Sequence, residues 1–477
     1  MDIYSTVKEC KNSTSTYYDY IKYKTHYNVV DSWDEITEKI IDTYTEVGRR
    51  VMQKNNSISE LSKFETLLNS IQSQMYKQSK EAVKNSLYYM YHKYGMAYYV
   101  RIRDNKVNLF CYIWNNNYKN SLSEYMHIDP KHANHYTSQD KTKWRINGAM
   151  IRVYEKHYQG YGMDFYYSET KYLLTKLCEL RKITDCDFIV FGKDMLAIKK
   201  DLTEASEEVV GSISAKLPDK FKFDEYCPIF SFDWNNRYID IPLPTPDDIL
   251  RIFDICVPSK CQKIYKKLPI CEWNSKKPTA VFRGSFTGAS ADIKRNPRLH
   301  IANLSNKWKY NPIYNEKNTI DGIPYLDAGL SSKGGHARGR KEINDKYIRF
   351  VDKNYWPHIL TNSLTHEQQS NYKYILYIEG NVSAYRGAYL FSFGSVVLWV
   401  TSSKYHLWFE PYLENHTNCI FIDHDLGNLA TTIEWLKKND SKAKQIAETG
   451  VTFYNKVLSK ESILNYTAMA INKICTN

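Results

Sequence analysis

Apolar residues change their spacing several times along this chain, and each change marks an element. Ser32 to Glu35 forms a capping-box sequence, and Ile36, Ile40, Tyr44, Val47 and Val51 follow on one helical face. A second helical pattern runs from Ser59 through Leu61, Phe64, Leu68, Ile71 and Met75, closing near Gly95. Together they predict an amphipathic helical extension over residues 1–95. From Ala97 to Trp114 the pattern becomes extended, with Asp104-Asn105 as a hairpin turn. Ile146 to Tyr154 and Met163 to Tyr167 are expected strands, and Ser168 is expected to start a helix carrying Tyr172, Leu173, Leu177 and Leu180. The strand Phe188 to Phe191 follows, with Gly192-Lys193-Asp194 just past its end. Pro228 to Phe232 repeats the short buried-strand pattern. The proline-rich IPLPTP around Pro242 to Pro246 then suggests a crossing between domains.

Farther on, Tyr372 to Val400 reads as strand, glycine turn, helix and strand in one run. Tyr374 to Ile378 suits a buried strand, Gly380 and Asn381 supply the turn, and Ser383 is expected to cap a helix with Arg386 in its first turn. Unpaired backbone N–H groups and the helix dipole favour a phosphate there. Gly394 ends the helix, and Ser395 to Val400 is the apolar, β-branched run of a parallel sheet. A solvated surface arginine on an ordinary strand–turn–helix unit is the competing reading, since no full glycine fingerprint is present.

A second junction, Pro278 to Gly288, has the same character. Thr279 to Phe282 is strand-like, and Arg283, Gly284 and Ser285 stand where a loop leaves the carboxyl end of a strand. Ligands in open α/β sheets bind outside those ends. The segment offers a guanidinium for an oxyanion, a glycine that permits close approach, and the hydroxyls of Ser285 and Thr287. Periodic helices over Leu426 to Lys438 and Lys442 to Val457 close the chain. The pattern as a whole predicts two α/β halves facing each other across a cleft.

Composition narrows the partners. The 477 residues imply two to three domains, and 43% hydrophobic and 14% aromatic content is ample for globular cores. The 41 tyrosines, with abundant Lys, Asn and Ile, fit an AT-rich genome and are not read as base-stacking platforms. A net charge of +12 favours anionic partners, but the lysines are dispersed and no nucleic-acid-binding motif accompanies them. Ten cysteines form no CxxC pair, and the nearest approach to a cluster, Cys256, Cys261 and Cys271, lacks histidines at finger spacing. That argues against zinc and for a reducing compartment. No apolar leader or membrane-length apolar run is found, so a cytoplasmic protein without a membrane span is expected.

Several ordered blocks resemble glycosyltransferase family 90, which includes the Rumi-type protein O-glucosyltransferases and capsule-associated xylosyltransferases. DFIVFGKDM resembles the family's strand ending in an R/K-D motif, PIFSF its PVFSF block, and TAVFRGSFTG its FRGS segment. YKYILYIEGNVSAYRGAYLFSFGSVVL is similar to the family's strongest signature, with its S-x-R and G-S-V-V/L elements. Cys419 to Ile422 and the closing helices also resemble the family's end, so the likeness runs from Phe188 onward. About the first 160 residues match nothing in that pattern and are expected to carry acceptor recognition, or a virus-like or lineage-specific addition.

The resemblance implies a GT-B-like pair of Rossmann-like domains, a UDP-sugar donor (UDP-glucose or UDP-xylose), a glycan or protein acceptor, inversion at the anomeric carbon, and no metal or cofactor. Residues 96–250 would form the acceptor-side domain, 251–440 the UDP-sugar-binding domain, and 441–477 helices packing back on the first. By the same carry-over Asp194 is the catalytic base, and Arg283, Arg386 and Ser383 bind the donor diphosphate. Gly284, Ser285, Thr287, Gly380 and Asn381 shape the donor loops, and Asp240 is a reserve candidate for acceptor or sugar contact. The chain departs from the family at Phe286, where a second arginine is usual, and at Gly387-Ala388, where relatives often carry a basic residue. Those departures are expected to weaken UDP binding, alter sugar choice or mark a degenerate enzyme, and the retained Asp194, Arg283 and Arg386 argue against the last. Two other classes stay open: a non-catalytic glycan- or nucleotide-binding protein on this fold, and a nucleic-acid-binding protein using the +12 charge.

Overall fold

The computed structural model describes residues 29–46, 62–71, 73–115, 164–193, 195–205, 216–254, 256–257, 262–263, 271–285, 287–288, 293, 296–316, 323–331, 357–402 and 404–475. Internal contacts divide them into two units. One takes the described residues up to 263 together with 460–475, and the other takes 271–459.

The first unit is built on a six-stranded mixed sheet in the order β1-β3-β2-β4-β5-β6. Its strands are β1 (Val29–Val30), β2 (Met96–Arg103), β3 (Lys106–Trp114), β4 (Cys186–Phe191), β5 (Ile229–Ser231) and β6 (Ile241–Pro242). β2 and β3 form the expected hairpin, with Asp104 at φ 49° and Asn105 at φ 58°, the left-handed pair that a two-residue turn requires. β2 also runs antiparallel to β4, whereas β4, β5 and β6 are mutually parallel. This half is therefore not the all-parallel sheet that a pair of Rossmann-like domains implies.

Around this sheet lie α1 (Trp33–Ile36, continued by a π turn Thr37–Ile41), α2 (Ser62–Ile71), α3 (Lys80–Tyr89), α4 (Asp164–Leu180) and α5 (Pro246–Ile252). Ser32 caps α1 through the Glu35 N–H, but the Glu35 carboxylate accepts from Asp31 rather than completing a capping box. Val47 and Val51 lie outside the described residues. The single helical pattern expected from Ser59 to Gly95 is two helices. A turn at Ser73–Gln78 separates them because Tyr76 pairs with Tyr226 and donates its hydroxyl to the Ile239 carbonyl at 2.5 Å. Met163 to Tyr167 is also not a strand: α4 begins at Asp164, and Tyr167, Thr170, Leu174 and Leu177 form one buried stripe at helical spacing. Ile146 to Tyr154 lies outside the described residues.

The second unit carries a six-stranded sheet in which every pairing is parallel. Its strands are β7 (Lys277–Ser285), β8 (Leu326–Ser331), β9 (Leu360–Thr361), β10 (Tyr372–Tyr377), β11 (Val396–Val400) and β12 (Ile420–Ile422), in the spatial order β9-β8-β7-β10-β11-β12. Numbered from β7, this is 3-2-1-4-5-6, the order of a doubly wound nucleotide-binding sheet, whose direction reverses between β7 and β10. Tyr374, Leu376 and Ile378 of the β10 segment and Val396, Leu398 and Val400 of β11 alternate onto one buried face. They pack there with α6 (Pro297–Trp308), α8 (Leu429–Lys438) and α9 (Asp440–Lys456). The intervening α7 (Gly387–Leu390) is a single turn.

The last helix, α10 (Lys460–Cys475), returns to the first unit, where it packs on α2, α4 and β4, while α9 stays in the second. Among the described residues no helix is long and apolar enough to cross a membrane.

Candidate functional site

The carboxyl ends of β7 and β10 lie side by side at the point where strand order reverses. Both sequence-predicted junctions therefore meet at the position where open α/β sheets bind ligands. β7 runs farther than its apolar pattern suggests: Arg283, Gly284 and Ser285 stay in the ladder, opposite Gly329, Leu330 and Ser331 of β8. This holds Arg283 inside the sheet. Its Nη2 pairs with Asp327 Oδ1 at 2.7 Å, Nη1 donates to the carbonyls of Asp327 and Phe282, and Nε donates to the Asn362 carbonyl. Asp327 also accepts the Tyr372 hydroxyl at 2.7 Å, so the cluster cross-links β7, β8 and β10. Arg283 is correspondingly 8% exposed, and its guanidinium faces a carboxylate of its own sheet rather than an open loop.

The β10 turn differs from its expected form. Ser383 caps no helix: residues 379–386 make bends and a turn, and α7 begins only at Gly387, with Arg386 at its N-cap. One turn of helix contributes little dipole, so what this segment offers an anion is mainly the side chain of Arg386. That guanidinium reaches across to β7. Nη1 donates to the Arg283 carbonyl at 2.5 Å, and the group lies 5.3 Å from the Phe282 ring centroid. Phe282 in turn lies against Gly284, where a Cβ would fall 2.7 Å from the ring. Gly284 thus admits an aromatic ring, and the ring supports a guanidinium. Ser383 is buried in the turn. Asn381 Oδ1 accepts from the Gly288 N–H at 3.2 Å and ties the two turns together.

The residue that local pattern reading missed is Arg298, in the first turn of α6. Its Nη1 donates to the Ser285 carbonyl (3.1 Å) and to Thr287 Oγ1 (2.7 Å), its Nε to the Glu379 carbonyl (2.7 Å), and its Nη2 to the Ile378 carbonyl (3.1 Å). Burial, with the Arg386 charge beside it, pushes Arg298 down to about 9, which leaves it charged at neutral pH. Asn296-Pro297 signals a helix start at this point, as a cap and first position, but not what Arg298 meets. Asn296 does cap α6, accepting from the N–H groups of Arg298 and Leu299.

In the first unit, Asp194 lies outside the described residues. Its neighbour Lys193 donates Nζ to the Tyr94 carbonyl, and burial beside the Lys93 charge pushes it down to about 7. Asp240 is not placed to touch a sugar. It is fully buried, accepting from the N–H groups of Ala197 and Ile198 at 2.7 and 3.1 Å and from Ser231 Oγ at 2.6 Å. The carboxylate fastens residues 197–198 to the end of β5. Burial outweighs these bonds and raises its pKa from 3.8 to about 6. The folded protein therefore holds this proton more tightly than the unfolded chain, so the contribution is present below the unfolded value and lost as pH rises through about 6. In Asp240→Asn the stability gained between pH 7 and pH 5 should shrink by about 1 kcal/mol, read from denaturant unfolding at both values.

The departure at Gly387-Ala388 has a packing cause. A Cβ on Gly387 would lie 2.8 Å from Tyr377 and 3.0 Å from both Trp399 and Leu407. The Tyr377 and Trp399 rings stack at 3.5 Å with an interplanar angle of 6°. Ala388 is also buried, so neither position has room for a basic side chain. Gly387→Ala should cost about 1–3 kcal/mol through overpacking, seen as a lower thermal midpoint. Phe286, the other departure, lies outside the described residues. Among the described residues no group of three His, Cys, Asp or Glu side chains is arranged to hold a metal.

Comparison with known proteins adds to this geometry. The profile of glycosyl transferase family 90 matches residues 119–475. The uncharacterized protein 179R of Invertebrate iridescent virus 6 is 28% identical over 442 residues, covering 80% of this chain and 36% of that protein. The uncharacterized protein 035R of Invertebrate iridescent virus 3 is 27% identical, covering 99% of this chain and 44% of its own. Protein O-glucosyltransferase 3 of Homo sapiens is 28% identical over 202 residues, 42% of this chain and 32% of that protein. The chain thus spans less than half the length of these relatives. The crystal structure of TarM aligns over 52% of this chain and 50% of its own at 13% identity, with a TM-score of 0.29, a likeness too slight to inform the fold. The family profile takes in the whole second sheet and strands β4 to β6 of the first, and on that extent the chain belongs to glycosyl transferase family 90.

Proposed function

We propose that the chain is an inverting glycosyltransferase of GT-B arrangement that moves glucose or xylose from a UDP-sugar to a hydroxyl on a glycan or protein, without a metal ion. The observation that carries this reading is the convergence of Arg283, Arg298 and Arg386 on the β7 and β10 ends, at the strand-order reversal of a parallel sheet. A departing diphosphate needs positive charge, and guanidiniums held in partly buried positions supply it in the role a divalent ion has elsewhere. Arg386 grips the diphosphate, while Arg283, its charge paired with Asp327, fixes the end of β7 beside it. Ser285, Thr287, Gly380, Asn381 and Ser383 line the two turns, and Gly284 seats Phe282 beneath them. Asp194, following β4, takes the proton of the acceptor hydroxyl as its oxygen attacks the sugar.

A donor screen tests the reading: UDP release from a panel of UDP-sugars, with and without EDTA. The expected result is slow hydrolysis of UDP-glucose or UDP-xylose, unaffected by EDTA. Binding without release of UDP would support a non-catalytic nucleotide-binding protein instead, and strict dependence on a divalent ion would sink the mechanism.

A further inference from the structure

Arg298 is built into the second unit in an unusual way. Its four hydrogen bonds divide evenly between the two turns: Ser285 O and Thr287 Oγ1 on the β7 side, Ile378 O and Glu379 O on the β10 side. The turns come so close that a Cβ on Gly380 would lie 3.0 Å from Thr287 Oγ1 and 3.1 Å from Arg298 Nη2. Among the described residues no carboxylate forms an ion pair with Arg298, although the side chain is only 7% exposed. Taking a charge out of water is costly, and the Glu379 carboxylate offsets that cost less than burial and the Arg386 charge add to it. The cost is increased by a second positive group, because Arg298 and Arg386 lie 5.9 and 5.3 Å from the same Phe282 ring centroid. Two like charges at one strand-order reversal form a place that an anion relieves.

Resting on the donor reading above, we propose that Arg298 is a positioning residue for the donor diphosphate. It clamps the β7 and β10 turns in register so that Arg386 and the turn N–H groups meet one anion, and its own charge is neutralised when that anion binds. The ligand class is a nucleoside diphosphate or its sugar ester, and the effect belongs to donor binding rather than to the acceptor.

The test uses the full chain with UDP as probe, in isothermal titration and in thermal unfolding, for wild type, Arg298→Lys and Thr287→Val. Lysine keeps the charge but cannot span both turns, and valine removes one anchor while leaving Arg298 in place. The expected result is a rise in Kd for UDP of about tenfold in Arg298→Lys and at least about threefold in Thr287→Val. Donor KM should rise in parallel with acceptor KM unchanged, and the thermal shift given by UDP should shrink in both variants. A brace with a structural role alone would lower the midpoint of the free protein and leave the Kd untouched. Folded variants that both bind UDP within twofold of wild type overturn the inference while leaving the donor reading intact. If Arg298→Lys does not fold, Thr287→Val decides by the same criterion. A wild type that binds no UDP removes the donor reading and this inference together.

Discussion

Arg386→Ala is expected to raise the Kd for UDP about 100-fold, equivalent to about 3 kcal/mol, with little change in the fold. The guanidinium of Arg386 is the least enclosed of the three arginines, because it is only partly buried whereas Arg283 and Arg298 are 8% and 7% exposed. A charge-assisted bond from arginine to phosphate in such a place is worth about 1.5–3 kcal/mol, and a second oxygen held by the same fork brings the total to the upper end. Arg386 depresses the pKa of Arg298, so removing it relieves a like-charge repulsion, but it also gives up the hydrogen bond to the Arg283 carbonyl and the contact with the Phe282 ring. The midpoint of the free variant should therefore change little, while the stabilisation that UDP confers is lost. Isothermal titration checks the first part and thermal unfolding the second; unchanged UDP affinity would count against the diphosphate site.

Asp194→Asn should lower kcat by about a thousandfold or more and leave the Kd for UDP within twofold of wild type. An inverting transfer in one displacement requires a carboxylate to remove the acceptor proton as the oxygen attacks, and general-base catalysis is worth about 10² to 10⁴ in rate. Asparagine matches aspartate in size but has no lone pair basic enough for the task. The split between kcat and donor affinity matters more than either value, because a lesion in folding moves both. Full transfer activity in a folded Asp194→Asn protein would falsify the base assignment.

Two central strands of the second unit are legible in sequence because they are continuous apolar runs near glycines, whereas β8, which carries Asp327 and Gly329, and the two-residue β9 have no such run. The expected strands Tyr374 to Ile378 and Ser395 to Val400 overlap β10 and β11 to within two residues at each end. The ends of β7 and α7 were misread for a common reason. Arg283 to Ser285 is polar, yet it stays in the sheet because β8 offers ladder partners. Ser383 is a good cap by composition, yet the chain makes a further turn before Gly387 can pack on Tyr377 and Trp399. Both outcomes are set by neighbours distant in sequence, which local propensity does not contain.

The site itself divides in the same way. Arg386 was visible from its place after a strand and glycine turn. Arg298 was not, because its partners Ile378 and Glu379 are some 80 residues away and become neighbours only once β7 and β10 pair. Asp240 shows the opposite error. Its setting in RYIDIP suggested a ligand contact, whereas the structure uses the carboxylate to hold backbone N–H groups at residues 197 and 198.

The arginines of the β7–β10 reversal are proposed to recognise a diphosphate without a metal ion. Parallel titrations of the full chain with UDP and with uridine, both in EDTA, test it most directly. UDP should bind in EDTA at least about 30-fold more tightly than uridine, a gap of about 2 kcal/mol carried by the diphosphate. Equal binding of the two, or UDP binding that appears only when a divalent ion is restored, would contradict it.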